Sequence, residues 1–307
     1  MTLMQVIKGL KNLSPAAGNS AVAIGNFDGV HLGHQRILAS LVHEANKDAL
    51  LPTVLTFSPH PEKAFGKSEI KMIQTLEQRL ADIEKFNIQT TIVIGFDKKF
   101  SNLSSQEFIK RILVMALNTK KIIVGKNFHF GKNREGTVTT LKETAAKFHF
   151  LVRSIPPVSV GNSLVSSSIV RRLLEEGKVE EANAFLGRPY EIAGRVVKGK
   201  SRGKDLGFPT ANIQTSNEIL PRGVFVSKVM IKNKMYPSLT HVGGSPTFQD
   251  AGTNIETYIV DFTADLYAES IRLFLIKKLR DEKRFVSPEA LSEQIEKDLA
   301  EARHYFH

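Results

Sequence analysis

Residues 21–35 read AVAIGNFDGVHLGHQ. Three textures meet in this stretch. The apolar run Ala21 to Gly25 suits a buried strand. Asn26, Asp28 and Gly29 are turn formers. His31 and His34 then open a pattern that continues as a helix. Strand, tight turn and helix in direct succession form the building unit of a parallel sheet with helices on its faces, so this stretch decides the fold class of the first half.

The neighbouring sequence repeats the alternation. TVLTF (53–57), TTIVI (90–94) and KIIVG (121–125) are further short β-branched runs. Helix-like segments at 34–48, 74–86 and 104–117 separate them. Leu76, Leu80, Ile83 and Phe86 recur at steps of three and four, which predicts one buried apolar helical face. Ser104 and Glu107 suit the start of the helix that follows. Ligands of such sheets bind at the carboxyl ends of the strands. GNFDGVHLGH, TFSPHP (56–61) and VGKNFHFG (124–131) all fall there.

The two histidines share one helical face, roughly 5–6 Å apart at Cβ for an i, i+3 pair. A helix N-terminus offers free N–H groups and partial positive charge, so phosphate binds there readily. Gly29 and Gly33 keep the surface low enough for a bulky anion to approach the backbone. Two imidazoles beside it add hydrogen-bond donors for charge that builds as pyrophosphate leaves. Zinc fits poorly: the metalloprotease pattern needs histidines at i and i+4 around a glutamate, and the chain has no cysteine. A reading as two locally satisfied structural histidines stays open on the residues alone.

A helix-like segment at 168–186 ends at Gly187, Arg188 and Pro189. From Tyr190 the texture changes. YEIAGRVV, GVFVSKVMI, TYIVDF and SIRLFLI are separated by turn-rich pieces, with no helical pattern before residue 286. That predicts an antiparallel β-barrel. A final helix follows, with Ser287 as cap, Pro288 in its first turn, and Leu291, Ile295, Leu299 and Ala302 on one face. Two domains are expected, 1–187 and 188–307.

Composition narrows the class. The chain has 307 residues, 42% of them hydrophobic, enough for real cores. The absence of cysteine excludes disulfides and fits a reducing compartment. No apolar run approaches the ~20 residues needed to cross a bilayer. The opening MTLMQVIKGLKNL lacks the pattern of a signal peptide. A cytoplasmic protein with no membrane partner is expected. The net charge of +11 attracts polyanions in general, but the basic residues are scattered, which favours small anion contacts over a nucleic-acid tail.

GNFDGVHLGHQ carries the HxGH pattern of adenylyl- and cytidylyltransferases, and its full form resembles the bacterial bifunctional riboflavin kinase/FAD synthetase family. TFSPHP, VGKNFHFG, SSSIVR (166–171), LGRPYEIAGRV (186–196), LGFPTANI (206–213), LPRGVFV (220–226), SPTF (245–248), ETYIVDF (256–262) and LRDEKRF (279–285) agree in order along nearly the whole chain. The resemblance implies a Rossmann-like nucleotidyltransferase domain that converts FMN to FAD. It implies a C-terminal β-barrel kinase that converts riboflavin to FMN. Its partners would be flavins and ATP, with Mg²⁺, and no specific nucleic acid.

The resemblance also implies roles. In the first half, Gly25, Phe27, His31 and His34 would hold the ATP phosphates, joined by Ser166, Ser167 and Arg171 as a second clamp; Ser168 stands where the family has Thr. Asn127 would lie near flavin or nucleotide. Asp28 reads as a turn former or a base, and His60 as a phosphate contact or a loop stiffener. In the second half, Gly199, Lys204 and Gly207 belong to a basic loop able to cover a nucleotide. Thr210 and Asn212, two apart on an extended chain, would offer oxygens to Mg²⁺. Glu256 would be the general base, and Arg280 and Phe285 would border the flavin. Two departures bear on the kinase: His241-Val242-Gly243 replaces Asn-Ile-Gly, and Leu266-Tyr267-Ala268-Glu269 replaces LYGK. Two alternatives remain at this level. One is adenylyl transfer with a degenerate barrel, against which intact Thr210, Asn212 and Glu256 argue. The other is an RNA-binding barrel, for which no exposed basic–aromatic platform is evident.

Overall fold

A computed structural model of the chain describes residues 3–12, 18–64, 66, 69–199, 207–245 and 250–306, and for 245 and 250–253 the backbone alone. The chain divides into two compact units. The first comprises Met1–Ile70 and Leu76–Val165, the second Lys71–Thr75 and Ser166–His307.

The first unit is built on a six-stranded, all-parallel sheet. Its strands are β1 (Gln5–Lys8), β2 (Ser20–Ile24), β3 (Leu51–Phe57), β4 (Thr90–Ile94), β5 (Thr119–Gly125) and β6 (Leu151–Ile155). They lie in the order β1-β4-β3-β2-β5-β6. All five residues of β2 are buried, because helices cover both faces of the sheet. Val22 and Ile24 point into one layer with Phe108, Ile112 and Leu141, while Ala21 and Ala23 point into the other with Leu38, Leu41 and Ile83. Period-two alternation thus serves two cores at once, and for that reason β2 reads as a continuous apolar run. Strand order reverses between β2 and β5, so the loops leaving those strands flank the topological switch point.

The main helices sit close to the expected segments: α1 (Leu32–Lys47), α2 (Leu76–Glu84), and a helix that starts at Ser105 and passes into π-helical bonding over Phe108–Ala116. Ser104 and Glu107 cap that helix reciprocally. Among the longer elements of this unit, the edge strands β1 and β6 and a helix at Val138–Phe148 were not read from the sequence. Both edge strands are largely exposed, so neither carries a sustained apolar run. The predicted apolar face of α2 is also only partly formed. Ile83 is buried, but Gln78, Arg79 and Asp82 are buried beside it.

In the second unit, two helices, Ser167–Glu175 and Val179–Leu186, precede a closed antiparallel barrel. Its strands are β7 (Tyr190–Val197), β8 (Thr210–Thr215), β9 (Gly223–Ile231), β10 (Lys234–Ser245), β11 (Asp250–Ile259) and β12 (Ser270–Arg280). Around the barrel they run β7-β8-β11-β10-β9-β12, and β12 closes on β7. The last helix, Pro288–Ala302, is capped by Ser287, whose hydroxyl accepts from Ala290 N–H. Its Ile295, Leu299 and Ala302 pack on Val224, Val226 and Leu239. On the alternate face of the strands Ser227, Ser238, Thr240 and Thr257 are fully buried and hydrogen-bonded to one another through Oγ–Oγ distances of 2.7–2.8 Å.

Candidate active sites

The loop from Gly25 to Gln35 in the first unit is backbone-strained. Phe27 has φ 52° and Val30 φ 37°, both in the left-handed region, with Gly29 between them at 82°. Such a φ in a non-glycine residue costs ~1–3 kcal/mol. Burial of the Phe27 ring, worth ~1.5–3 kcal/mol, offsets it. Phe27 is fully buried and its ring lies where a side chain on Gly25 would stand, since an added Cβ would come within 3.2 Å of the ring. Val30 N–H donates to Phe27 O at 3.1 Å, and the Gln35 amide donates to Val30 O at 2.9 Å. The strained turn is therefore held from both ends.

His31 is the N-cap of α1, and its Nδ1 accepts from His34 N–H at 3.3 Å. In the neutral ring the proton then resides on Nε2, which becomes the donor. The His31 and His34 rings stack, centroids 3.7 Å apart and planes 13° apart, and His34 also lies 5.1 Å from Phe27. An added Cβ at Gly33 would stand 3.2 Å from His31 Cε1, so glycine here lets the imidazole fold back over the first turn.

The next loop is tied to this one through Asn26. His60 Nδ1 accepts from Glu62 N–H at 3.2 Å, and His60 Nε2 lies 2.8 Å from the Asn26 side-chain amide. A neutral His60 with Nδ1 accepting carries its proton on Nε2, so the amide must turn its oxygen toward the ring. Thr56 Oγ1 donates to Asn26 O at 3.1 Å. Arg79 from α2 donates to the same carbonyl at 2.6 Å and to Phe57 O at 2.9 Å. Arg79 is only 4% exposed; burial lowers its pKa, while the charges of Asp28 and Glu77 oppose that shift. Arg79 was not read from the sequence, where TLEQRL shows a helical period and no sign of a buried charge. Asp28 is buried in the strained turn. Asn127, on the loop after β5, is exposed, and its carbonyl lies 2.9 Å from His129 Nδ1. Phe130 is buried and Phe128 half-buried, their rings stacked at 5.5 Å.

In the second unit Ser166 caps the helix Ser167–Glu175, accepting from Ile169 N–H at 3.4 Å, and Arg171 in that helix is buried. Ser167 is half-buried beside the cap, whereas Arg172 points to solvent and pairs with Glu176 at 3.3 Å.

The barrel brings its predicted residues into one cross-strand row. Asn212 on β8 stands opposite Glu256 on β11, Glu256 opposite His241 on β10, His241 opposite Val224 on β9, and Val224 opposite Arg280 on β12. Residues directly opposite in antiparallel strands share a face, so Asn212, Glu256 and His241 are neighbours, and Thr210, two before Asn212, lies on the same side. A side chain on Gly199 would overlap the Asn212 amide. Gly207 has φ 83°. The departure at His241 is taken up locally: its Nε2 lies 3.2 Å from Glu282 Oε1, and Glu282 in turn fills the space a Cβ on Gly243 would need. Arg280 is engaged by Asp298, with Nε at 3.0 Å from both carboxylate oxygens and Nη2 at 2.8 Å, and its guanidinium lies 5.6 Å from the Phe285 ring. Lys204, with Lys200, Arg202, Gly203 and Pro246–Phe248, lies outside the described residues. Among the described residues no group of three His, Cys, Asp or Glu side chains could hold a metal ion, and no helix is long and apolar enough to cross a membrane.

The two units define a class: a parallel α/β unit with a strained, histidine-capped turn at its switch point, followed by a closed antiparallel barrel. Comparison with known proteins agrees. The family model described as FAD synthetase matches residues 13–169, and that described as riboflavin kinase matches 186–306. A bifunctional riboflavin kinase/FMN adenylyltransferase of Buchnera aphidicola subsp. Schizaphis graminum is 38% identical over 99% of each chain. One of Escherichia coli K12 is 34% identical over 99% of this chain and 98% of its own. The crystal structure of a macrolide-efflux protein from Streptococcus pneumoniae superposes with a TM-score of 0.88 at 29% identity, covering 98% of this chain and 99% of that one. The chain belongs to the bifunctional riboflavin kinase/FMN adenylyltransferase family.

Proposed function

We propose that this chain makes FAD from riboflavin in two ATP-dependent steps, phosphorylation in residues 188–307 and adenylyl transfer in residues 1–187. The observation that carries the reading is that each half matches its own family model, FAD synthetase over 13–169 and riboflavin kinase over 186–306.

In the first step the ribityl hydroxyl of riboflavin attacks the γ-phosphorus of ATP, the bond to the bridging oxygen breaks, and ADP leaves. Glu256 takes the hydroxyl proton, a role that suits a carboxylate beside the nucleotide-binding amide of Asn212. Gly199 and Gly207 lie beside the nucleotide, and Arg280 and Phe285 border the flavin. Thr210 and Asn212 fit Mg²⁺: they are hard oxygen donors on one face, with Gly199 leaving room for the amide. A protein offering few ligands suits an ion that retains waters and binds nucleotide phosphates. Bound there, Mg²⁺ would neutralise charge on those phosphates.

In the second step a phosphate oxygen of FMN attacks the α-phosphorus of ATP and pyrophosphate leaves. Little covalent work falls to the protein; position and charge stabilisation carry it. His31 and His34, with Gly25 and Phe27 shaping the turn, hold the phosphates. Ser166, Ser167 and Arg171, at the start of their helix, offer hydroxyls and a guanidinium to phosphate, and Asn127 contacts flavin or nucleotide. Flavins and ATP are then the partners, with no specific nucleic acid. The cysteine-free composition fits a cytoplasmic enzyme.

The test is incubation of purified protein with riboflavin, ATP and Mg²⁺, followed by chromatography. Both FMN and FAD are expected. FMN alone sinks the adenylyl site. FAD from supplied FMN but none from riboflavin sinks the kinase.

A further inference from the structure

Arg79 lies in none of the motifs that mark the family resemblance, yet it connects two of them. Its guanidinium donates to the carbonyl of Asn26, just past the end of β2, and to that of Phe57, the last residue of β3. Those carbonyls begin the GNFDGVHLGH and TFSPHP loops. Thr56 and His60, both from the second motif, also reach Asn26. Asn26 is thus a node where the two loops meet, and Arg79 is the group that spans it from behind.

Burying a guanidinium to this depth is costly, and a hydrophobic side chain of similar volume often packs as well or better. The Nε of Arg79 is buried with no hydrogen-bond partner, a further penalty that packing alone does not explain. The planar fork gives each carbonyl its own nitrogen at a fixed spacing; a lysine ammonium would have to serve both from one point and so would not hold them at that spacing.

We propose that Arg79 is a positioning residue for adenylyl transfer. It locks the His31–His34 turn and the His60 loop at one spacing, so that both meet the same phosphate chain. The proposal rests on the adenylyl-transfer reading above.

Two variants and two readouts test it. Arg79→Lys retains charge and Arg79→Met retains bulk. The expected result for Arg79→Lys is a fall of ~10-fold or more in kcat for FAD formation from supplied FMN, with KM for FMN changed less, because misplacement acts on the transition state. Arg79→Met should fall further. FMN formation from riboflavin in the same samples should be unchanged. Affinity for inorganic pyrophosphate, read by calorimetry on the full chain without turnover, should weaken several-fold in both variants. FAD formation within twofold of wild type together with unchanged pyrophosphate affinity would overturn the proposal. So would equal losses of FMN and FAD formation with a lowered melting temperature, which mark a merely structural role. If wild type makes no FAD, the adenylyl reading fails, and the pyrophosphate comparison alone still decides Arg79. A wild type that makes FAD but binds no pyrophosphate leaves the adenylyl reading standing and the kcat comparison to decide Arg79.

Discussion

Asn212 and Glu256 face each other directly across the β8–β11 pair, and His241 occupies the next place along the same row. Carboxamide, carboxylate and imidazole are therefore fixed side by side by strand register, not by flexible loops. Glu256→Gln keeps the shape and removes the proposed base. It is expected to lower FMN formation by ~10²–10⁴-fold, the usual contribution of a general base. FAD formation from supplied FMN should stay within twofold. Chromatography of both flavins in one assay checks it. Asn212→Ala should show the same split.

Gly33→Ala tests the folded-back imidazole. The new methyl would meet His31 Cε1 at 3.2 Å, so the ring must give by a few tenths of an ångström. A displacement of 1 Å can cost ~100-fold in rate, so this smaller one should lower FAD formation by roughly two- to tenfold. FMN formation should not change. His31→Ala, which removes both the cap and the ring, should abolish FAD formation outright.

The hydroxyl ladder inside the barrel gives a stability prediction. Thr240→Val keeps the volume but takes a partner from Thr257 and Ser227, both fully buried. An orphaned buried hydroxyl costs ~1–3 kcal/mol, so the urea midpoint should fall accordingly. The double change Thr240→Val with Thr257→Val should cost less than the sum of the single ones, because it removes both ends of one bond.

A charged network ties α1 to the sheet. Lys121 on β5 pairs with Glu44 and Asp48 at 2.7 Å each, and Arg153 on β6 also pairs with Glu44. Hydrogen bonding to Lys121 lowers the Glu44 pKa, and bonding to Asp48 and Glu44 raises that of Lys121. The Glu44 contribution is fully present above the ordinary glutamate value near ~4.3 and is lost as pH falls through its lowered one. The Lys121 contribution is fully present below lysine's ordinary ~10.4 and is lost as pH rises through its raised value. Melting temperatures of wild type and Glu44→Gln should therefore differ by a constant amount between about pH 5 and pH 10 and converge in acid.

What the sequence made legible and what it hid follow from locality. The apolar run of β2, the turn formers after it and the His31–His34 pair are all contiguous, so their reading needs no knowledge of partners. The barrel was legible from its alternating runs and its closing helix from Ser287 and Pro288. Arg79 was hidden because its significance lies in two carbonyls, 53 and 22 residues away in sequence. β1 and β6 were hidden because edge strands bury too little to show a period. The Ser227–Thr240 ladder was hidden because hydroxyls in a strand look like solvent-facing positions until the sheet closes on itself. His241 was visible as a departure, but its contact with Glu282 depends on where the segment after β12 turns back.

The placement of β1 sets a timetable for the nascent chain. Gln5 pairs with Thr90, so β1 cannot find its neighbour until β4 has emerged, several seconds later at ~5–20 residues per second. Until then β2 and β3 can already zip together, and the leading segment trails loose. The barrel repeats the arrangement at the other end, where Tyr190 waits for Leu275. A polypeptide released just before Leu275 would therefore leave β7 without the strand that closes the barrel, while the first sheet, complete by then, would be unaffected.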